Sequence, residues 1–136
     1  LLMTKELIQE YLGETKVDYK TIHSKDIIGV VNGLYATSNG GGGITSIEIC
    51  PMKISDNNNF QLKLTGSMGD VMKESISVSL TNAWNLTSYE RQKYLIEKYN
   101  DVKNNIVYGI HIHCPDTTTP KDGASAGIGF ATAIYS

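Results

Sequence analysis

The 136 residues carry twelve Lys and Arg against fourteen Asp and Glu, a net charge of −2, with 40% hydrophobic residues. That is enough chain for one domain with a real core. The near balance of charge gives no support to nucleic acid or an anionic membrane surface as the main partner, and the longest apolar runs are far too short to span a bilayer.

The first residue is Leu1, and no basic segment followed by an apolar one succeeds it, so no secretory signal is read. The last residues fall in a helical run, and both ends look cut from something longer. The two cysteines, Cys50 and Cys114, build no dense framework. A disulfide between them is possible, but a reducing compartment such as the cytoplasm is the better reading.

In chain order, residues 4–12 read as a short helix, with Leu7, Ile8, Tyr11 and Leu12 at helical spacing and Gly13 to close it. Residues 14–25 are polar and read as a connector. Ile27-Ile28-Gly29-Val30-Val31 opens a β segment running to about residue 37, and 38–43 form a turn with Asn-Gly at its start. Residues 44–50 alternate like a strand, and Phe60, Leu62 and Leu64 alternate with Gln61, Lys63 and Thr65 as a third. Between them Asn57-Asn58-Asn59 reads as a solvated turn. Three strands at turn spacing predict an antiparallel meander.

Residues 70–85 read as a helix whose apolar stripe is Met72, Ile76, Leu80, Ala83 and Trp84. Thr87-Ser88-Tyr89-Glu90 is a capping-box pattern for a helix over 88–99. A polar break at 101–105, a strand over 107–114, a loop over 116–121 and a helix over 124–135 complete the chain. Strands first, then helices with one more strand, argue for an α+β domain of small antiparallel sheets with packed helices.

Gly123-Ala124-Ser125-Ala126-Gly127 has the literal G-x-S-x-G form of a nucleophile elbow. The α/β-hydrolase context is missing: a polar loop, not a strand, leads into the serine, and no acid or histidine follows it. Two readings stay open. Ser125 is a nucleophile whose small neighbours admit a bulky substrate, at a helix start whose amides suit an oxyanion; or it closes a tight loop-to-helix junction near the N-cap.

His111 and His113, two apart on a strand, point the same way. With Cys114 and Asp116 they could begin a metal site, but a second ligand pair is absent and no metal is assigned. Otherwise they are hydrogen-bonded into a strand edge, or they line a cleft beside the Ser125 loop. The run Gly40 to Gly43 lacks the following Lys-Ser or Lys-Thr of a P-loop and reads as a hairpin turn. Glu74 by itself reads as a solvated helix residue.

Four stretches taken together resemble the proteolytic domain of the Lon protease family: Gly29-Val30-Val31-Asn32-Gly33-Leu34, LTGSMGDVMKES from Leu64 to Ser75, His111-Ile112-His113, and TPKDGASAG from Thr119 to Gly127. IQEYLG, from Ile8 to Gly13, is similar to the family's lead-in from an ATPase module. The resemblance implies an α+β proteolytic domain of the ribosomal protein S5 domain 2-like kind over 26–136, with residues 1–25 as lead-in helix and connector. It implies a serine endopeptidase with a Ser-Lys dyad that degrades unfolded or damaged proteins. Ser125 matches the nucleophile. Asp122, Glu74, His111, His113, Gly123 and Ala124 match site-supporting positions, with Ala124 in place of the family's usual proline.

The family's dyad lysine lies downstream of the serine, outside these residues. Lys121 sits in a polar loop, which favours its charged form and argues against it as the base. The resemblance further implies a homo-hexamer fed unfolded polypeptide, with ATP and magnesium confined to an ATPase module outside this chain. The alternative is a dyad-deficient module of the same fold that binds polypeptide or assembles without cutting.

Overall fold

A computed structural model describes residues 4–13, 22–36, 40–54, 60–101, 106–115 and 120–136. The 14–21 part of the expected 14–25 connector, the Asn57-Asn58-Asn59 turn, most of the 101–105 break and the 116–119 part of the last loop lie outside the described residues.

The N-terminal helix α1, Lys5–Leu12, starts where the Thr4 hydroxyl accepts the Leu7 amide and stops at Gly13, whose amide bonds Gln9 O. None of its side chains is buried. Strand β1, Val30–Ala36, begins later than expected, because a turn joining Val30 N to Ile27 O takes up the preceding apolar residues. It pairs antiparallel with the thirteen-residue β2, Gly42–Ile54, from Val30↔Glu48 to Ala36↔Gly42.

The next strand corrects the meander. β3, Leu62–Thr65, does not lie beside β2. β5, Ile106–His113, enters between them, antiparallel to β2 (Glu48↔His113 to Ile54↔Val107) and parallel to β3 (Leu62↔Ile110 to Thr65↔His113). The sheet order is therefore β1-β2-β5-β3. Parallel neighbours need a crossover, and the chain supplies it with α2, Asp70–Leu86, and α3, Tyr89–Tyr99. A two-residue strand β4, Asn100–Asp101, pairs with the start of β5 inside the expected break. Pro51 falls in the half of β2 that has β5 but no longer β1 alongside, where a missing amide donor is tolerated. The α+β class stands, with one mixed sheet.

The last helix, α4, Gly127–Tyr135, packs beside α2 on one sheet face. Ile47, Met68, Met72, Ile76, Ile112, Cys114, Phe130 and Ala133 form the core between these layers. Phe130, Ile76 and Ile112 are fully enclosed, each contributing roughly 1.5–3 kcal/mol by leaving water. On α2 the buried positions are Met72, Ile76, Ser79 and Ala83, while Trp84 is 41% exposed. Ser79 takes an inward place because its hydroxyl bonds Gly127 O, at the head of α4.

The cap of α3 also differs from expectation. Ser88 Oγ accepts the Arg91 amide, whereas Thr87 turns back to donate to Ala83 O. Thr87 and Glu90 therefore form no capping box: Thr87 spends its hydroxyl on closing α2. Among the described residues no helix is long and apolar enough to cross a membrane.

Candidate active site around Ser125

Two junctions meet at one end of the sheet. After β3 the chain passes Gly66 (φ 117°) and Ser67 (φ 55°) into α2, and after β5 it returns through Lys121 to Ser125 into α4. Left-handed backbone comes without strain to Gly66, and a Cβ there would overlap the Cys114 carbonyl oxygen. The junctions are bonded to each other: Lys121 N donates to Ser67 O at 2.9 Å and Gly69 N to Lys121 O at 2.7 Å.

Asp122 locks this pairing. Its Oδ1 accepts the Met72 amide at 2.9 Å and the Gly123 amide at 2.9 Å. The N-cap of α2 is Gly69, which has no side chain to cap with. Asp122 thus caps α2 from another segment, and its negative charge suits the positive end of the helix. A Cβ on Gly69 would stand 2.6 Å from Asp122 Oδ2, so the glycine makes room for the carboxylate.

Ser125 is exposed, in the turn just before α4, and not at its N-cap, which is Ala126. The turn is held from below: Ser75 Oγ and the Gly127 amide both donate to Ala124 O, at 3.3 and 3.1 Å. Among the described residues no side chain caps α4. Among the described residues the amides of Ser125 and Ala126 find no acceptor, and nothing is hydrogen-bonded to the Ser125 hydroxyl. An exposed hydroxyl beside unspent amides at a helix head can attack a carbonyl and hold the oxyanion that forms. Gly123 (φ 119°) lets the chain leave Asp122 and turn into this position.

Lys121 requires a correction. The polar loop does not leave it in water: it is 5% exposed, with Nζ donating to Gly66 O at 3.4 Å. Its burial follows from the pairing of the two junctions, which turns residue 121 inward beneath the Gly66 turn. Glu74 is exposed on α2, next in sequence to Ser75.

The two histidines occupy the other sheet face. Ile112 and Cys114 point into the helix-covered core, so His111 and His113 project from the opposite side. They lie in the sheet interior, not at a strand edge, because β5 has β2 and β3 on either side. Thr65 Oγ1 stands 2.9 Å from His111 Nε2 and 2.7 Å from His113 Nδ1. Burial, then the Lys63 ammonium and the His113 ring, hold His111 below its ordinary 6.5. Burial pushes the Cys114 thiol above its ordinary 9.0, against the pull of the Lys121 ammonium. Cys50 is exposed and Cys114 buried, both as free thiols. Among the described residues no three His, Cys, Asp or Glu side chains gather to hold a metal ion.

The structure thus joins Asp122, Gly123, Ala124 and Ser125 to the start of α2, and sets His111 and His113 apart with Thr65. Sequence reasoning did not single out Thr65, Ser75 or Gly69, and misjudged Lys121. Each acts through a partner from another segment, which no local pattern in the sequence marks. A cleft of about 970 Å³ between α3 and the sheet, lined by Trp84, Leu95, Tyr99, Tyr108 and Tyr135, contains none of the site residues.

Comparison with known proteins matches residues 2–136 to the Lon protease (S16) C-terminal proteolytic domain. The chain belongs to the Lon proteolytic-domain family. It is 41% identical, over its whole length, to a Lon protease homolog of Acanthamoeba polyphaga mimivirus, of which it covers 13%. It is 36% identical to the Lon protease of Mycoplasma mycoides subsp. mycoides over its whole length, and 37% identical to that of Halothermothrix orenii over 98% of it, covering 16% of each relative. The chain therefore spans about a seventh of the length of these Lon relatives.

Proposed function

We propose that this chain supplies the serine nucleophile of a Lon-type, ATP-dependent serine endopeptidase. The carrying observation is Ser125 itself, exposed at the uncapped head of α4 beside two amides without acceptors among the described residues. Ser125 Oγ attacks a peptide carbonyl carbon while a lysine from outside these 136 residues takes its proton. That lysine must be neutral to do so, which burial brings about by lowering its pKa. The Ser125 and Ala126 amides hold the oxyanion, the amine leaves with a proton, and water releases the acyl group. Lys121 is not the base in this reading, because its ammonium is turned to the Gly66 carbonyl.

Asp122 keeps the nucleophile turn tied to α2, Gly123 and Ala124 lead into Ser125, and Glu74 precedes the Ser75 that holds the turn. Residues 1–25 lead in from an ATPase module that holds ATP and magnesium, and 26–136 belong to the proteolytic domain. Unfolded polypeptides are the substrates, a homo-hexamer the assembly, and the cytoplasm or another reducing compartment the setting. In the complete protein, ATP-stimulated hydrolysis of a flexible fluorogenic peptide should fall nearly to zero with Ser125→Ala. Retained turnover overturns the assignment.

A second reading, a module that holds polypeptide without cutting it, is favoured by one observation: no described group is bonded to the Ser125 hydroxyl. A peptide boronate separates the two. Tight binding lost with Ser125→Ala supports the peptidase, and absence of binding in the complete protein supports the second reading.

A further inference from the structure

Thr65 Oγ1 lies within hydrogen-bond reach of two imidazoles at once, and a hydroxyl has one hydrogen and two lone pairs. The two histidines present different nitrogens to it, Nε2 from His111 and Nδ1 from His113. Thr65 Oγ1 makes no other bond among the described residues, so its hydrogen goes to one ring and it accepts from the other. The shorter contact, 2.7 Å to His113 Nδ1, suits O–H donation, and 2.9 Å to His111 Nε2 suits N–H donation. The bonds then run one way: His111 Nε2–H to Thr65 Oγ1, and Thr65 O–H to His113 Nδ1.

We propose that His111, Thr65 and His113 form a proton relay on the open face of the sheet, with both neutral rings fixed as Nε2–H tautomers by Thr65. A proton taken up at His111 Nδ1 moves Nε2–H to the threonine oxygen and the threonine hydrogen to His113 Nδ1. His113, now doubly protonated, releases its Nε2 proton. Charge balances at every step, one proton enters and one leaves, and both rings end as Nδ1–H.

The surrounding charges give the relay a direction. Lys63 on β3 is the register partner of His111 and repels a proton there. Glu48 on β2, which accepts a bond from Ser46 Oγ, is the register partner of His113, so a carboxylate stands on that side and an ammonium on the other. Cys50 lies opposite His111 on β2, and Lys53, further along the same strand, lies opposite Tyr108. The relay stands at the ends of β3 and β5, where both strands pass into the segments that carry α2 and Ser125. It does not depend on the peptidase reading.

The chain has three histidines, so a long-range ¹H–¹⁵N correlation spectrum of the imidazoles is readable, with exposed His23 as internal reference. His111 and His113 should both show the Nε2–H pattern at neutral pH, with a slowly exchanging His111 Nε2 proton. Thr65→Val should bring that proton to the exchange rate of His23, and Thr65→Ser should restore it. Rings in different tautomers, or a His111 proton unaffected by Thr65→Val in folded protein, would overturn the relay. If Thr65→Val does not fold, the wild-type tautomers decide alone.

Discussion

Replacing Gly66 by alanine tests whether the junction between β3 and α2 is as tight as its geometry requires. The residue has φ 117°, where an L side chain is strained, and a Cβ there would overlap the Cys114 carbonyl oxygen and lie 2.9 Å from its carbon. Those atoms are backbone, so relief requires the ends of β3 and β5 to part, with loss of the 3.0 Å bond from Cys114 N to Thr65 O. Strain contributes about 1–3 kcal/mol and the lost bond about 1 kcal/mol, so Gly66→Ala should cost about 3 kcal/mol. For a chain of this size that is a fall in Tm of about 10 °C. Gly123 is the control: its φ is 119°, yet a Cβ there meets nothing within 4 Å. Gly123→Ala should show the strain alone, about 1–3 kcal/mol, and therefore about 1 kcal/mol less than Gly66→Ala, which also loses the hydrogen bond. Urea unfolding followed by the fluorescence of the single tryptophan, Trp84, measures both. Equal losses for the two variants, or a loss below about 1 kcal/mol for Gly66→Ala, would refute the overlap argument.

Asp122→Ala should cost about 1–2 kcal/mol by uncapping α2. Gly69→Ser should destabilise the wild type, because its Cβ meets Asp122, yet much less so in the Asp122→Ala background, where its own hydroxyl can cap; additive losses in a double-mutant cycle would contradict the shared space. One thiol, Cys50, should react with Ellman's reagent in the native protein and two in denaturant, and fast reaction of both natively would contradict the burial of Cys114. His111 has a folded pKa below its ordinary 6.5, so the stability it contributes is present above that value and is lost as pH falls through the folded one. His111→Gln should flatten the acid side of the stability profile between pH 7 and 5, and an unchanged slope counts against it. Cys114 works in the opposite sense: its raised folded pKa means that stability is lost as pH rises beyond about 9.0, and Cys114→Ala should remove that loss.

Local pattern carried much of this protein. The stripe of Met72, Ile76 and Ala83 specifies the inward face of α2 because a 3.6-residue period returns those positions to one side. The alternation around Ile47 and Ile112 specifies the buried sheet face for the same kind of reason. The exposure of Ser125 was legible because a serine among small residues ahead of a helix is a local feature. Strand order was not. Leu62 to Thr65 looks alike whether β2 or β5 lies beside it, and the parallel pairing is decided by helices α2 and α3, which carry the chain across the sheet.

The same limit governs the site. That Asp122 caps a helix fifty residues upstream depends on two junctions lying side by side. So does the burial of Lys121, which polar neighbours in sequence had argued against. That Thr65 joins His111 to His113 depends on β3 lying in register with β5. The sequence by itself determined most of the inward apolar positions, the order of helices and strands, and a serine presented ahead of the last helix, since these depend on neighbours a few positions away. The tertiary structure alone decided which polar groups meet, because a hydrogen bond is set by distance in space, and chain separation says nothing about it until the sheet order is known.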